Sequence, residues 1–342
     1  MPKTKSQISI GVIGVGQMGR IHAEHIVRRV HQARLVAVAD VDAKRAQAVA
    51  EALGAPRWYG SPEELLQDKT IDAVVIVTST DTHADMIVAA AKAGKDIFCE
   101  KPIADTVPDG RRAQAAVERA GVRCQIGFMR RFDPAYVTAR KQLDDGAIGR
   151  PLMIRLCGRD PTFYRRGKGT AFVKTSGGIF LDMCIHDFDL ARWLMGAEVS
   201  QVFAKVATLG PPEVHQLDTQ DSAVALLTYS DGRLGVAESS LLVPWYDIRT
   251  ELVGTKGTLQ VGALEYQPVT VMSAAGIIEP GIPWFMERFG EAYVAELQHF
   301  ISALASDQVP AVNAGDGVAA LAISLAALQS AETGQPVNLV AA

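Results

Sequence analysis

The 342-residue chain is 48% hydrophobic and 21% charged, with a formal net charge of −4, the balance of a globular enzyme rather than a disordered or fibrous chain. The slight negative charge gives no electrostatic case for nucleic acid or an anionic membrane as partner, and no run reaches the roughly 18 uninterrupted apolar residues of a membrane span. Cys99, Cys124, Cys157 and Cys184 are scattered without metal-ligand spacing and read as reduced thiols, and with no signal-like N-terminus the expected compartment is the cytoplasm.

Up to about residue 127, apolar strands alternate with helices. Strands are expected at Ile8–Ile13, Leu35–Ala39, Ala73–Val77, Asp96–Cys99 and Val122–Ile126. Helices are expected at Gln17–His31, Ala43–Leu53, Thr82–Ala93 and Asp105–Ala120. Continuous apolar strands separated by helices predict a doubly wound parallel sheet, so the class is α/β. After Gly127 the pattern changes. Strands follow one another near Leu152–Cys157, Val199–Ala207, Ser222–Tyr229, Arg233–Ser240, Thr250–Val253 and Thr258–Val261, with turns such as Ser230-Asp231-Gly232. This predicts an α+β second domain with a large, mostly antiparallel sheet, closed by helices near Trp284–Leu304 and Gly315–Ser330. The apolar run Val318–Leu328 reads as a buried helix. The domains are expected at 1–127 and 128–342.

Gly14-Val15-Gly16-Gln17-Met18-Gly19 follows the first strand and opens the first helix. Glycines there allow the tight turn and let a pyrophosphate approach the backbone at the helix N-terminus. Asp40 ends the next strand, where a carboxylate hydrogen-bonds an adenosine ribose 2′-hydroxyl and would repel a 2′-phosphate. The expected cofactor is therefore NAD, bound by Gly14, Gly16, Gln17, Met18, Gly19 and Asp40. Lys44 and Arg45 read as a solvated helix face. Thr78, Ser79 and Thr80 lie at the carboxyl edge of the sheet, where ligands bind. His83, just inside the next helix, is either a cofactor contact or a packing histidine.

Glu100-Lys101-Pro102 ends the strand Asp96–Cys99. A lysine there either polarises a reacting oxygen or is an ordinary surface lysine. Further on, Ser176-Gly177-Gly178 opens a helix-like segment carrying Asp182 and His186, whose four-residue spacing stacks them on one helical face. A carboxylate beside an imidazole makes a base that works near neutral pH. The same pair could be half of a metal site with Asp189, but no His-Glu-x-x-His or cysteine cluster supports that, and no metal is expected. It could also be a buried structural pair.

Together, the glycine-rich turn, Glu100-Lys101-Pro102 and the Gly177-Gly178…Asp182…His186 segment resemble the glucose–fructose oxidoreductase/inositol dehydrogenase (Gfo/Idh/MocA) family. Within it, Gly127-Phe128-Met129-Arg130-Arg131-Phe132-Asp133-Pro134 and His186-Asp187-Phe188-Asp189 resemble the bacterial myo-inositol 2-dehydrogenases. The resemblance implies a Rossmann domain followed by an open-faced sheet that binds substrate and assembles a homotetramer. It implies Lys101, Asp182 and His186 as the catalytic set, with Glu100 and Lys101 also at the cofactor. It implies Met129, Arg130, Asp160, Asp182, His186 and Tyr246 as substrate-binding residues, the aromatic choice in Trp245-Tyr246-Asp247 being open between neighbours. The expected reaction is NAD-dependent oxidation of a secondary hydroxyl of a cyclic polyol, myo-inositol foremost. Other inositols or sugars, an NAD-dependent glycosidase and a non-catalytic NADH sensor are the alternatives.

Overall fold

A computed structural model describes residues 7–161, 177–215, 219–262, 271–273, 276–278 and 282–339. Ser176 lies outside the described residues. Two compact units emerge, residues 1–129 with 291–321, and residues 130–290 with 322–342.

In the first unit the order is β1 (Ile8–Ile13), α1 (Gln17–Arg28), β2 (Ala33–Ala39), α2 (Ala43–Leu53), β3 (Arg57–Tyr59), α3 (Pro62–Gln67), β4 (Ala73–Ile76), α4 (Thr80–Lys92), β5 (Asp96–Glu100), α5 (Val107–Ala120) and β6 (Cys124–Gly127). The strands form a six-stranded parallel sheet in the order β3-β2-β1-β4-β5-β6. Val12, Val38, Val74 and Ile76 have no exposed surface, because helices cover both faces of a sheet built this way. Strand order reverses between β1 and β4, and the carboxyl ends of those strands form the crevice where this topology takes ligands.

The second unit contains α6 (Pro134–Asp144), β7 (Pro151–Arg159), a π-helical turn at Phe180–Cys184, α7 (Ile185–Met195), β8 (Val199–Ala207), α8 (Pro212–His215), β9 (Ser222–Tyr229), β10 (Leu234–Ser240), β11 (Asp247–Gly254), β12 (Thr258–Val261), β13 (Val271–Ser273) and β14 (Gly276–Ile278). Two long helices follow, α9 (Phe285–Ala305) and α10 (Ala314–Thr333), and then β15 (Val337–Asn338). Seven strands run β12-β11-β7-β10-β9-β8-β15, antiparallel except for β7 with β10. Along β9, Ala223, Ala225, Leu227 and Tyr229 are buried while Val224 and Leu226 are about half exposed, the period-2 signature of a sheet covered on one face. α7 packs on β7 and β10. The uncovered face carries Val224, Leu226 and Leu234, and beside them the ion pairs Arg155–Glu251 and Arg159–Glu238.

The chain does not divide at a single cut between 127 and 128. Leu297, Phe300, Ile301 and Leu304, spaced as one face of α9, complete the core that Ala23, Ile26 and Phe98 begin. Burying each such side chain contributes about 1.5–3 kcal/mol, so the second half of α9 belongs with the parallel sheet. By length and composition α10 could cross a membrane (mean hydropathy 1.3). Val318, Leu321, Ile323 and Ala327 are nevertheless buried, as in a core helix.

Candidate active site

The glycine-rich turn is built as the spacing implies. Gly14 has φ +84°, and a Cβ on it would sit 2.5 Å from the Val77 carbonyl oxygen. A Cβ on Gly19 would lie 1.9 Å from the Gly14 carbonyl oxygen, so β1 and α1 close only without side chains. Gly16 is different. A Cβ there would meet nothing within 4 Å, which leaves the backbone open where a pyrophosphate must come close. Gly16 caps α1 without any side-chain hydrogen bond, and the first turn holds no acid. Its amides and the positive end of the helix dipole thus face an anion unopposed. The turn fits a dinucleotide. Gln17 is exposed beside it, Met18 half-buried.

Asp40 is only 7% exposed. Its Oδ2 accepts from the Val15 amide and its Oδ1 from the Asp42 amide, each at 2.9 Å. It therefore pins the turn, and each oxygen keeps a second lone pair for a ribose hydroxyl. Lys44 and Arg45 are both exposed on α2, but Arg45 also has a charge partner. Its guanidinium stands 3.6 Å from both Asp40 and Asp42 while the side chain stays 46% exposed, a solvated residue that also leans on two carboxylates at the helix start. Thr78 and Thr80 are half-buried and Ser79 is exposed at the N-terminus of α4. The Thr82 hydroxyl donates to Thr78 Oγ1 at 2.7 Å.

His83 is a brace, not a cofactor ligand. Its Nδ1 lies 2.7 Å from the Pro102 carbonyl and its Nε2 3.1 Å from the Thr78 carbonyl. Burial lowers its pKa, so the neutral ring has one N–H and donates it to one of these two carbonyls. Glu100 also turns inward, against the expectation of direct cofactor contact. Its Oε1 is 2.7 Å from His22 Nε2 and its Oε2 accepts from the Lys101 amide at 3.2 Å. Lys101, half-buried, follows at the carboxyl edge of β5.

In the second unit Asp182 falls within the π-helical turn and His186 is the second residue of α7. The four-residue spacing therefore runs through the wider i→i+5 winding rather than a uniform α-helix. Such π segments recur at functional sites. Asp182 is half-buried and His186 7% exposed. Beneath them the two motif segments meet. Arg130 Nη1 donates to Asp187 Oδ1 at 2.5 Å, and Arg131 grips Asp189 with two bonds of 2.8 and 2.5 Å. All four side chains are buried. Asp189 is thus committed to Arg131 rather than to a metal, and the Arg130 guanidinium faces Asp187 rather than open space. Burial pushes Asp187 above the ordinary carboxylate value although Arg130 opposes it.

Tyr246 is 4% exposed and sets its ring edge-on to Phe289, whereas Trp245 is 44% exposed. Of the two neighbours only Tyr246 is buried. Burial raises its pKa, and it feels the charges of Arg130, Asp160 and Asp187. Asp160, just past β7, is buried and tied through its amide to the Ser240 carbonyl. Asp160, Arg130 and Tyr246 therefore share one neighbourhood. Met129, buried, closes the first stretch of the first unit. The sequence did not give His22 a role, and it did not pair Arg130 and Arg131 with Asp187 and Asp189. The alternating Asp187 and Asp189 facing consecutive arginines were the available signal.

Two family models match, one described as an oxidoreductase family with an NAD-binding Rossmann fold over residues 8–128, the other as its C-terminal α/β domain over residues 140–339. The chain belongs to the Gfo/Idh/MocA oxidoreductase family. It is 42% identical over 334 residues to the scyllo-inositol 2-dehydrogenase (NAD(+)) of Bacillus subtilis (strain 168), covering 97% of this chain and 96% of that protein. It is 37% identical to the myo-inositol 2-dehydrogenase of Thermotoga maritima, covering 96% and 98%. A structure of the scyllo-inositol dehydrogenase of Lactobacillus casei with bound NAD(H) and scyllo-inositol is 31% identical with a TM-score of 0.91, covering 97% and 99%. The doubly wound sheet, the mostly antiparallel second sheet and the NAD-type turn are those of the family.

Proposed function

We propose that the chain is an NAD-dependent dehydrogenase that oxidises one secondary hydroxyl of a cyclic polyol, with myo-inositol going to 2-keto-myo-inositol (scyllo-inosose). The observation that carries this reading is the 42% identity across nearly the whole chain to an inositol 2-dehydrogenase. Bound at the Gly14–Gly19 turn, NAD supplies the hydride acceptor. The rest falls to side chains. His186 accepts the hydroxyl proton, Asp182 orients substrate and imidazole, and Lys101 hydrogen-bonds the reacting oxygen as charge develops on it. Asp160 and Tyr246 line the polyol pocket. Arg130 acts behind them, by holding Asp187 next to His186.

The same relative favours scyllo-inositol as a second substrate. The two isomers differ only in configuration at the reacting carbon, so oxidation there gives the same ketone. A cytoplasmic homotetramer formed through the uncovered sheet face completes the proposal. The exposed Val224, Leu226 and Leu234 support it, since contiguous exposed apolar surface marks association sites.

The test is a panel of inositol isomers and aldoses with NAD and NADP, followed by reduced-cofactor absorbance, with light scattering for mass. NADH formation from an inositol is expected. Aglycone release without net NADH would indicate a hydrolase, and cofactor binding without turnover a sensor. His186→Ala should lower turnover roughly a hundredfold or more, the scale of a lost general base, with NAD binding retained.

A further inference from the structure

Glu296, on α9, has no exposed surface, and among the described residues neither of its carboxylate oxygens has a hydrogen-bond partner. Its backbone carbonyl accepts from Gln125 Nε2 at 2.9 Å, which anchors this turn of α9 beside β6. His22 of α1 and Glu100 of β5 face it, and one donor atom from each of the three residues lies within 4.8 Å of the others. The His22 ring packs edge-on against Phe98 and Tyr293, an apolar surround that excludes bulk water. An ionised carboxylate left unpaired in such a place is strongly disfavoured.

Two states relieve that cost, a bound cation or a proton. A tetrahedral ion with bonds of about 2.0–2.2 Å holds its ligand atoms about 3.3–3.6 Å apart. His22 Nε2 and Glu100 Oε1 are instead 2.7 Å apart, bonded to each other. The proton remains. We infer that Glu296 is held as a neutral carboxylic acid and, with His22, is a positioning residue that fixes the Glu100 carboxylate and through it the Lys101 peptide. The positioning role rests on the part given to Lys101 above. The protonation state does not.

The charges around the site agree. Burial and the Glu100 charge push Glu296 well above the ordinary carboxylate range. Burial opposes ionisation of Glu100 too, yet the His22 ring, the Lys101 charge and the Lys101 amide hold it below that range. The other groups facing the cluster are His25, next to His22 on α1, the uncharged Gln125 from β6, and Tyr293 on α9 itself.

The experiment uses the full chain without substrate. Infrared spectra at neutral pH should show the carbonyl stretch of a neutral carboxylic acid in the wild type, lost in Glu296→Gln. In kinetics, Glu296→Ala should lower kcat roughly ten- to a hundredfold with the KM for NAD little changed, the scale of a misplaced catalytic group. Glu296→Gln should recover most of that loss, because an amide reproduces the neutral acid and not the carboxylate. Absence of the band, a Gln variant as slow as the Ala variant, or one tightly held metal ion per chain that Glu296→Gln abolishes would each overturn the inference. If Glu296→Ala does not fold, the band and the Gln variant decide. A band present while no polyol is oxidised would leave the protonation standing and remove the dehydrogenase reading.

Discussion

Asp187→Ala strips the Arg130 guanidinium of its counter-charge where neither group reaches solvent, the two side chains being 2% and 0% exposed. Arg130 Nη1 loses a 2.5 Å charged bond, and among the described residues its Nε already has no partner. The Phe289 ring stays beside it, 5.7 Å from the guanidinium carbon, a cation–π contact of about 0.5–2 kcal/mol. Breaking a buried pair from one side costs about 3–5 kcal/mol, a third or more of a typical stability of about 5–15 kcal/mol. Urea unfolding followed by circular dichroism should show a loss of that size. The double variant Arg130→Met/Asp187→Leu removes both charges and keeps an apolar fill, so it should recover most of the loss, with a coupling energy above about 2 kcal/mol. A cost below about 1 kcal/mol for Asp187→Ala, or strictly additive single effects, would refute the idea that this pair clamps the helix carrying His186.

Gly19→Ala places a Cβ 1.9 Å from the Gly14 carbonyl oxygen, so the turn must open. NAD affinity measured by calorimetry should fall at least tenfold, about 1.4 kcal/mol. Asp40→Ala orphans the Val15 and Asp42 amides at about 1–3 kcal/mol each. It should weaken NAD and narrow the preference over NADP, the more so with Arg45 beside the vacated site; an unchanged NAD-to-NADP ratio would count against the ribose role. Glu296 also gives stability a pH dependence. Its folded pKa lies above the usual 4.5, so between the two values the folded state holds the extra proton. Its contribution is full below about 4.5 and falls as pH rises, by up to about 1.4 kcal/mol per pH unit. Subtracting Glu296→Gln from wild-type urea profiles isolates that slope, and a slope of zero above pH 5 would contradict it.

The sequence determined by itself everything that rests on near neighbours along the chain. Apolar strands separated by helices specify a doubly wound sheet because each element must bury its own pattern. Gly14, Gly16 and Gly19 specify a phosphate turn because three glycines within six residues mark a tight strand-to-helix turn, although the Val77 carbonyl that also excludes a side chain at Gly14 comes from just past β4. Short segments were lost for the same reason: β3, with Trp58 exposed, and α3 carry too few residues for a period to show. Asp182 and His186 were legible as a spaced pair, but the π-helical turn under them was not, since no local preference distinguishes it from an α-helix. Tertiary structure decided whatever depends on partners distant in sequence. It set Arg130 and Arg131 on Asp187 and Asp189, chose Tyr246 over Trp245 as the buried aromatic, and turned His83 and Glu100 inward as braces. It also brought Glu296 from near the C-terminus to His22 and Glu100. Burial and pairing are properties of three-dimensional neighbours, and they alone tell a carboxylate that meets substrate from one that holds a proton in the dark of the core.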